Sequence, residues 1–214
     1  MSRQEQEADT RCRVLHEACR LFAARGYRET TVHDICEAAH ANVAAVNYYF
    51  GSKENLYREV WRHASECAHE VFSRPVPDDA TPEDEICEHI RMRIECIFDP
   101  GTAGWFPQII KREMTDPTPL REQLSREFMQ PLRNQLETAV RSWLGPQASD
   151  AQIAQCTLSI ISHFILLNAG AHIHQYLFNS NRPDRKQIEA IIRHVQTFCT
   201  AGIGAVNEQI EKEQ

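Results

Sequence analysis

Apolar residues recur along this chain with the period of a helix. Val14, Leu15, Ala18, Leu21 and Phe22 form one stripe of a helix from about Thr10 to Arg25. Gly26 follows at the C′ position, where a left-handed residue is wanted. Thr31 suits an N-cap, and Asp34 sits in the first turn, where the helix dipole favours a carboxylate. Ile35 and Ala38–Ala39 give this second, short helix its apolar side. Asn42 caps a third helix ending at Tyr49 or Phe50, and Gly51–Ser52 breaks the pattern. Ser52 then caps a fourth, from Lys53 to about Phe72.

Beyond it, the stretch RPVPDDATP is polar and proline-rich, the best place for a change of packing unit. Thr81 as N-cap and Pro82 at N1 open a fifth helix to about Phe98. DPGTAG is a turn, and Pro107 begins a sixth helix that stops before DPTP. Pro119 begins a long seventh helix to Leu144, kinked where Pro131 removes a backbone donor. Ser149 and Gln152 form a capping-box pattern for an eighth helix reaching about Phe178. Asp184 starts the last, to about Val206. With no hairpin signal and no internal repeat, the pattern predicts an all-α protein of about nine helices.

The composition, 42% apolar and 25% charged, is that of an ordinary globular chain and excludes wholesale disorder. The oiliest stretch, Ile160 to Ala171, is interrupted by Ser162, His163 and Asn168, so no membrane span is expected. MSRQEQEADTR has no apolar h-region, which predicts a cytoplasmic protein in a reducing compartment. The eight cysteines contain no C-x-x-C and read as free thiols. His63 and Cys67, four apart, could share a metal, but two ligands do not make a zinc site. No nucleophile elbow, phosphate-cradling glycine loop or H-E-x-x-H occurs, so neither catalysis, a metal nor a cofactor is expected. The net charge of −7 is uneven: residues 1–63 hold nine basic and nine acidic residues, and the excess acid follows them. Charge alone does not mark a nucleic-acid binder.

The informative segment is TVHDICEAAHANVAAVNYYFGSK, residues 31–53: two short helices joined by a tight turn, with a third in front. That is a helix-turn-helix, whose second helix fits the major groove of DNA. Val46 and Phe50, four apart, must face the core. Ala44, Asn47 and Tyr48 then fall on the opposite arc, with Val43 at its margin. Asn can bond adenine in a paired fashion, Ala and Val suit a thymine methyl, and Tyr48 and Tyr49 can reach phosphates. Asn42 and Lys53 sit at helix starts, where backbone N–H groups favour phosphate. The plainer alternative is that the tyrosines only pack at a bundle edge.

Residues 10–57 resemble the DNA-binding domain of the TetR family of transcriptional regulators, through VLHEACRLFAARGYRETTVHDICEAA and NYYFGSKENLY. ANVAAVNYYFGSKENLY is closest to the YbiH/CecR-type branch, and REMTDPTP at 112–119 is similar to a motif in that branch's C-terminal region. The resemblance implies phosphate contacts from Thr31 and His33, recognition-helix contacts from Val43, Ala44, Asn47, Tyr48 and Tyr49, and a role for Lys53. It implies a three-helix DNA-binding domain at 1–52 and a helical ligand-binding and dimerisation domain at 53–214. One departure is His40, where the family usually has Gly; a left-handed conformation is expected there.

The last two helices read as a homodimer's four-helix bundle. Ile188, Ile192, Val195, Cys199 and Gly202 make a heptad-like seam, and the stretch from Leu158 to Ala171 is oily on more than one side. A small-molecule site is expected among the middle helices. Trp105, Phe106, Ile110, Met114 and Phe128 would form its apolar wall, with His163, Asn168 and His172 as polar groups. Each of these could equally be ordinary core. Arg112 and Glu113 read as a structural ion pair. The expected activity is a repressor that binds a palindrome-like double-stranded operator as a dimer and is released by a small molecule. The alternative is a redox- or metal-responsive regulator on the same scaffold.

Overall fold

The computed structural model describes residues 3–72, 77, 79–170, 174–176, 179 and 182–213. All regular elements among them are helical: α1 (Arg3–Arg25), α2 (Val32–Ala38), α3 (Val43–Phe50), α4 (Lys53–Phe72), α5 (Pro82–Phe98), α6 (Trp105–Thr115), α7 (Arg121–Leu124), α8 (Gln130–Leu144), α9 (Asp150–Asn168) and α10 (Arg185–Lys212). They pack as two compact units, Met1–Val71 with Pro100–Phe128, and Phe72–Asp99 with Met129–Gln214. The sequence places a boundary at residue 52; by packing, α4 and the 100–128 segment group with the helix-turn-helix.

The core of the first unit is built from the stripe read in α1. Val14, Leu15, Ala18, Leu21 and Phe22 are all buried, with Ile35 and Cys36 of α2, Val46 and Phe50 of α3, and Leu56, Val60 and Trp61 of α4. Gly26 ends α1 at φ 83°, its N–H donating to the Phe22 carbonyl. A side chain there would meet the left-handed penalty that glycine avoids. The second unit is held by Ile86, Ile90 and Ile94 of α5, Leu136 and Val140 of α8, Ile153 and Ile160 of α9, and Ile192 and Val195 of α10.

Several boundaries differ from those read in the sequence, beginning with α1, which starts at Arg3 instead of about Thr10. The long helix around Pro131 is divided by a π-turn at Ser125–Met129, which leaves Pro131 in the first turn of α8. A proline nitrogen cannot donate to the carbonyl four residues back and its ring crowds that carbonyl, so the ladder widens just before it. α9 stops at Asn168 instead of continuing to Phe178, with Gly170 at φ 108°. α10 runs on to Lys212, six residues beyond Val206. By length and composition α9 is also apolar enough to cross a membrane, against the sequence expectation. One side of α9, with Ile153, Cys156, Ile160 and Leu167, is buried in the core of its unit, and one such helix is weak evidence for a membrane span.

Candidate nucleic-acid interface

The recognition element is set by caps at both short helices. Thr31 Oγ1 accepts from the Asp34 N–H at 3.1 Å, and Asp34 Oδ2 accepts from the Thr31 N–H at 2.9 Å, a closed capping box. The Thr31 hydroxyl, which donates to Asp34 Oδ2 at 2.7 Å, and after it the Thr31 N–H hold the Asp34 carboxyl below its ordinary pKa. Asn42 Oδ1 accepts from the Ala44 N–H at 2.9 Å and starts α3. Between them His40 has φ 49°, the left-handed conformation its place in the turn requires. Arg13 of α1 donates from Nε to the Ala39 carbonyl at 3.2 Å, clamping the turn from behind.

α3 has two faces. Val46 and Phe50 are buried in the first unit's core. Val43, Ala44, Asn47 and Tyr48 are exposed, Tyr48 at 74%, while Tyr49 is half-buried. The Tyr48 and Tyr49 rings meet edge-on with centroids 4.9 Å apart, so each limits the other's movement. Thr31 and His33 are exposed at the start of α2. Lys53 is less free than its position suggests: its ammonium lies 4.3 Å from the centre of the Tyr27 ring, and burial lowers its pKa. The result is a small, charge-poor arc of an amide, short apolar groups and phenols, ringed by helix starts.

Residues 14–60 match the bacterial regulatory proteins of the tetR family, and residues 82–203 match the C-terminal domain of the HTH-type transcriptional dual regulator CecR. The chain belongs to the TetR family. Within it, the CecR-like branch is supported by the CecR regulator of Shigella flexneri, 29% identical over 160 residues that cover 70% of this chain and 71% of that protein. Among solved structures, a Saccharomonospora viridis protein described as a transcriptional regulator, in complex with choline, superposes with TM-score 0.66 at 17% identity, over 89% of this chain and 95% of that one. A TetR-like regulator from a Rhodococcus species gives 0.66 at 12% identity, over 91% and 96%. The relatives are transcriptional regulators, not enzymes.

The residues read as an effector site are distributed over both units of this TetR-family chain. In the first, Phe106 and Phe128 gather around Trp61, each with ring centroids 5.8 Å from it. The Trp61 Nε1–H is buried and makes no hydrogen bond of normal geometry. The apolar pattern of α4 does not by itself single out Trp61, although it stands four residues after buried Tyr57 on the same side of the helix. Trp105 instead meets His16 edge-on at 4.9 Å, Ile110 is half-buried, and Met114 points outward at 53% exposure, which removes it from an enclosed wall. In the second unit His163 of α9 lies 5.8 Å from the Phe198 ring of α10, and Asn168 is the last residue of α9. His172 lies outside the described residues.

Arg112 and Glu113 do not pair with each other, because adjacent residues on a helix diverge. Arg112 donates to the Ala24 carbonyl at the end of α1. Buried Glu113 accepts from the Tyr57 hydroxyl at 3.1 Å and from the Thr118 N–H and hydroxyl, both at 2.7 Å. REMTDPTP is therefore a clasp within the first unit.

The expected dimer seam needs correction. Ile192, Val195 and Cys199 are buried in the chain's own core, and Ile188 packs against that core. Only Gly202 of the five is exposed. Helices α5, α8 and α9 of the same chain satisfy the heptad spacing. The outward apolar residues are Leu158, Ile165 and Leu166 on α9 and Phe198 on α10. All eight cysteines are free, and burial pushes the Cys96 thiol up to about 12 and that of Cys199 up to about 11. Such thiols are protonated and poor nucleophiles, which gives a peroxide-sensing reading no support.

Proposed function

We propose that this TetR-family chain is a ligand-responsive repressor that binds a palindrome-like operator as a homodimer. The single observation that carries it is the two-faced recognition helix: buried Val46 and Phe50 hold Val43, Ala44, Asn47 and Tyr48 outward. In this reading Asn47 and Ala44 meet base edges. Tyr48, Tyr49, Thr31, His33, Asn42 and Lys53 hold phosphates or position the helix, and residues 1–52 form the DNA-reading domain. The neutral charge balance of the first 63 residues makes one head a weak binder, so a second head is needed. The exposed strip of Leu158, Ile165, Leu166 and Phe198 supplies the surface for the second chain, within the ligand-binding and dimerisation domain at 53–214.

The effector is proposed to act among the middle helices, with Trp61, Phe106 and Phe128 as apolar wall. A solved protein of the same fold is in complex with choline, which supports a ligand-holding scaffold. Binding favours a different setting of α4, which carries Trp61 and begins directly after the recognition helix. The two heads then lose the separation the operator demands. The effector achieves this only as far as it binds the two states unequally. The protein acts in the cytoplasm, where its operator is.

The test is titration of full-length protein against enriched duplex DNA, comparing wild type with Asn47→Ala and Tyr48→Ala. Loss of one base-reading contact weakens binding by about 1–3 kcal/mol, roughly fivefold to over a hundredfold. Unchanged affinity in both variants contradicts the assignment of α3.

A further inference from the structure

Which base pairs α3 selects depends on what its outward face offers them, provided that α3 reads DNA as proposed. The exposed residues of α3 fill an arc of about 140°, in the order Val43, Asn47, Ala44 and Tyr48 round the helix. Val43 and Asn47 are four apart, as are Ala44 and Tyr48, so the Cβ atoms of each pair stand about 5–6 Å from one another. The patch is therefore short enough to meet only neighbouring base pairs. It holds one amide, two small apolar side chains and one phenol. α3, VAAVNYYF, contains no lysine, arginine, aspartate or glutamate.

Guanine presents two acceptors to the major groove, O6 and N7, and its commonest partner is a two-pronged arginine or lysine. Three cations of the first unit are engaged elsewhere. Lys53 stands over the Tyr27 ring at 4.3 Å, Arg28 pairs with Asp116 at 3.0 Å, and Arg13 is held by Asp9 and the Ala39 carbonyl. The Asn47 amide makes no hydrogen bond among the described residues. It offers an acceptor beside its donors, which matches adenine, with N7 as acceptor and N6–H as donor; against guanine the amide carbonyl would face O6. Val43 and Ala44 have no polar side-chain atom. Over cytosine they would cover the N4–H donor and give it no partner. Over thymine they meet the C5-methyl group and remove apolar surface from water. The Tyr48 hydroxyl both donates and accepts, so it discriminates little, and its edge-on contact with Tyr49 holds it at the rim of the patch.

Because residues 1–63 carry no net charge, attraction to phosphate is weak and a larger share of operator affinity falls to the bases. We propose that each operator half-site is centred on A·T pairs, read through the C5-methyl groups of thymine by Val43 and Ala44 and through one adenine by Asn47. The small apolar residues and the amide, not the tyrosines, then set the sequence preference, and a G·C pair finds no matching group on α3.

The test starts from duplexes that the full-length protein selects from random DNA. A bound duplex is remade with deoxyuridine at single thymine positions, which removes the methyl group and keeps the base pairing. Binding is expected to weaken about fourfold at each contacted thymine, the contribution of one buried methyl group, and to hold at thymines outside the half-sites. Cytosine at a contacted position also weakens binding, and 5-methylcytosine there recovers part of the loss. 7-Deazaadenine, which lacks the N7 acceptor, weakens wild type about fivefold at the contacted adenine. Val43→Ala makes at least one thymine insensitive to deoxyuridine, and Asn47→Ala shows no further loss with 7-deazaadenine. Both positions are exposed, so neither substitution disturbs the core. Half-sites rich in guanine, affinity that ignores the methyl group at every position, or losses that the two variants leave unaltered overturn the inference while α3 remains a DNA-reading helix. Failure to enrich any sequence removes the DNA-reading function itself, and the inference with it.

Discussion

At the scale of single residues, the turn of the DNA-reading motif carries a conformation its side chain does not favour. His40 sits at φ 49°, where an L-residue pays roughly 1–2 kcal/mol that glycine does not, while glycine loses about 0.5–1 kcal/mol of unfolded-chain entropy. His40→Gly should therefore raise stability by up to about 1 kcal/mol, read as a shift in urea midpoint at constant slope. A lower midpoint would show that the imidazole contributes a contact outweighing the strain. The caps give a second test. The carboxyls of Asp34 and Asp84 are both held below their ordinary pKa by their threonine partners, Thr31 and Thr81. A carboxylate with a depressed folded pKa adds stability above its unfolded pKa and loses it as pH falls through the folded one. The helix-turn-helix should loosen in acid below about pH 4, and Thr31→Ala should cost about 1 kcal/mol and flatten that acid limb. An unaltered acid limb in the variant would contradict the capping assignment.

At the scale of elements, the first unit is legible because its signals are local. Caps at Thr31 and Asn42, the C′ glycine at Gly26 and the four-residue spacing of Val46 and Phe50 need no knowledge of distant residues. The α10 seam is not legible, for the opposite reason. A heptad of apolar residues says that a helix has a covered face and says nothing about what covers it. Here α5, α8 and α9 of the same chain do so. The Pro131 break is plain in the sequence, but its form as a π-turn depends on how the flanking helices are held. The REMTDPTP segment is visible as a motif, while its partners, Tyr57 and Ala24, lie more than fifty residues away. Glu113→Ala leaves the Tyr57 hydroxyl and the Thr118 N–H without their shared acceptor. The expected cost is about 2–3 kcal/mol, seen as a fall in melting temperature of several degrees. No change would mean that water replaces the carboxylate without penalty.

At the scale of the whole molecule, the proposed reading pairs the two-faced recognition helix with a second copy of itself. Replacing an exposed apolar residue that no core depends on should separate chains without unfolding them. Phe198→Lys, at a position 63% exposed, is expected to halve the mass in solution while leaving the helical circular dichroism intact. A variant that stays dimeric would place the interface elsewhere. Paired reading of DNA by two copies of α3 is tested most directly by selecting full-length protein on random duplex DNA and sequencing what it retains. The expected product is an inverted repeat whose half-site centres lie one helical turn, about 34–36 Å, or a multiple of it apart. Retained sequences with a single unpaired half-site, or no enrichment at all, would contradict it.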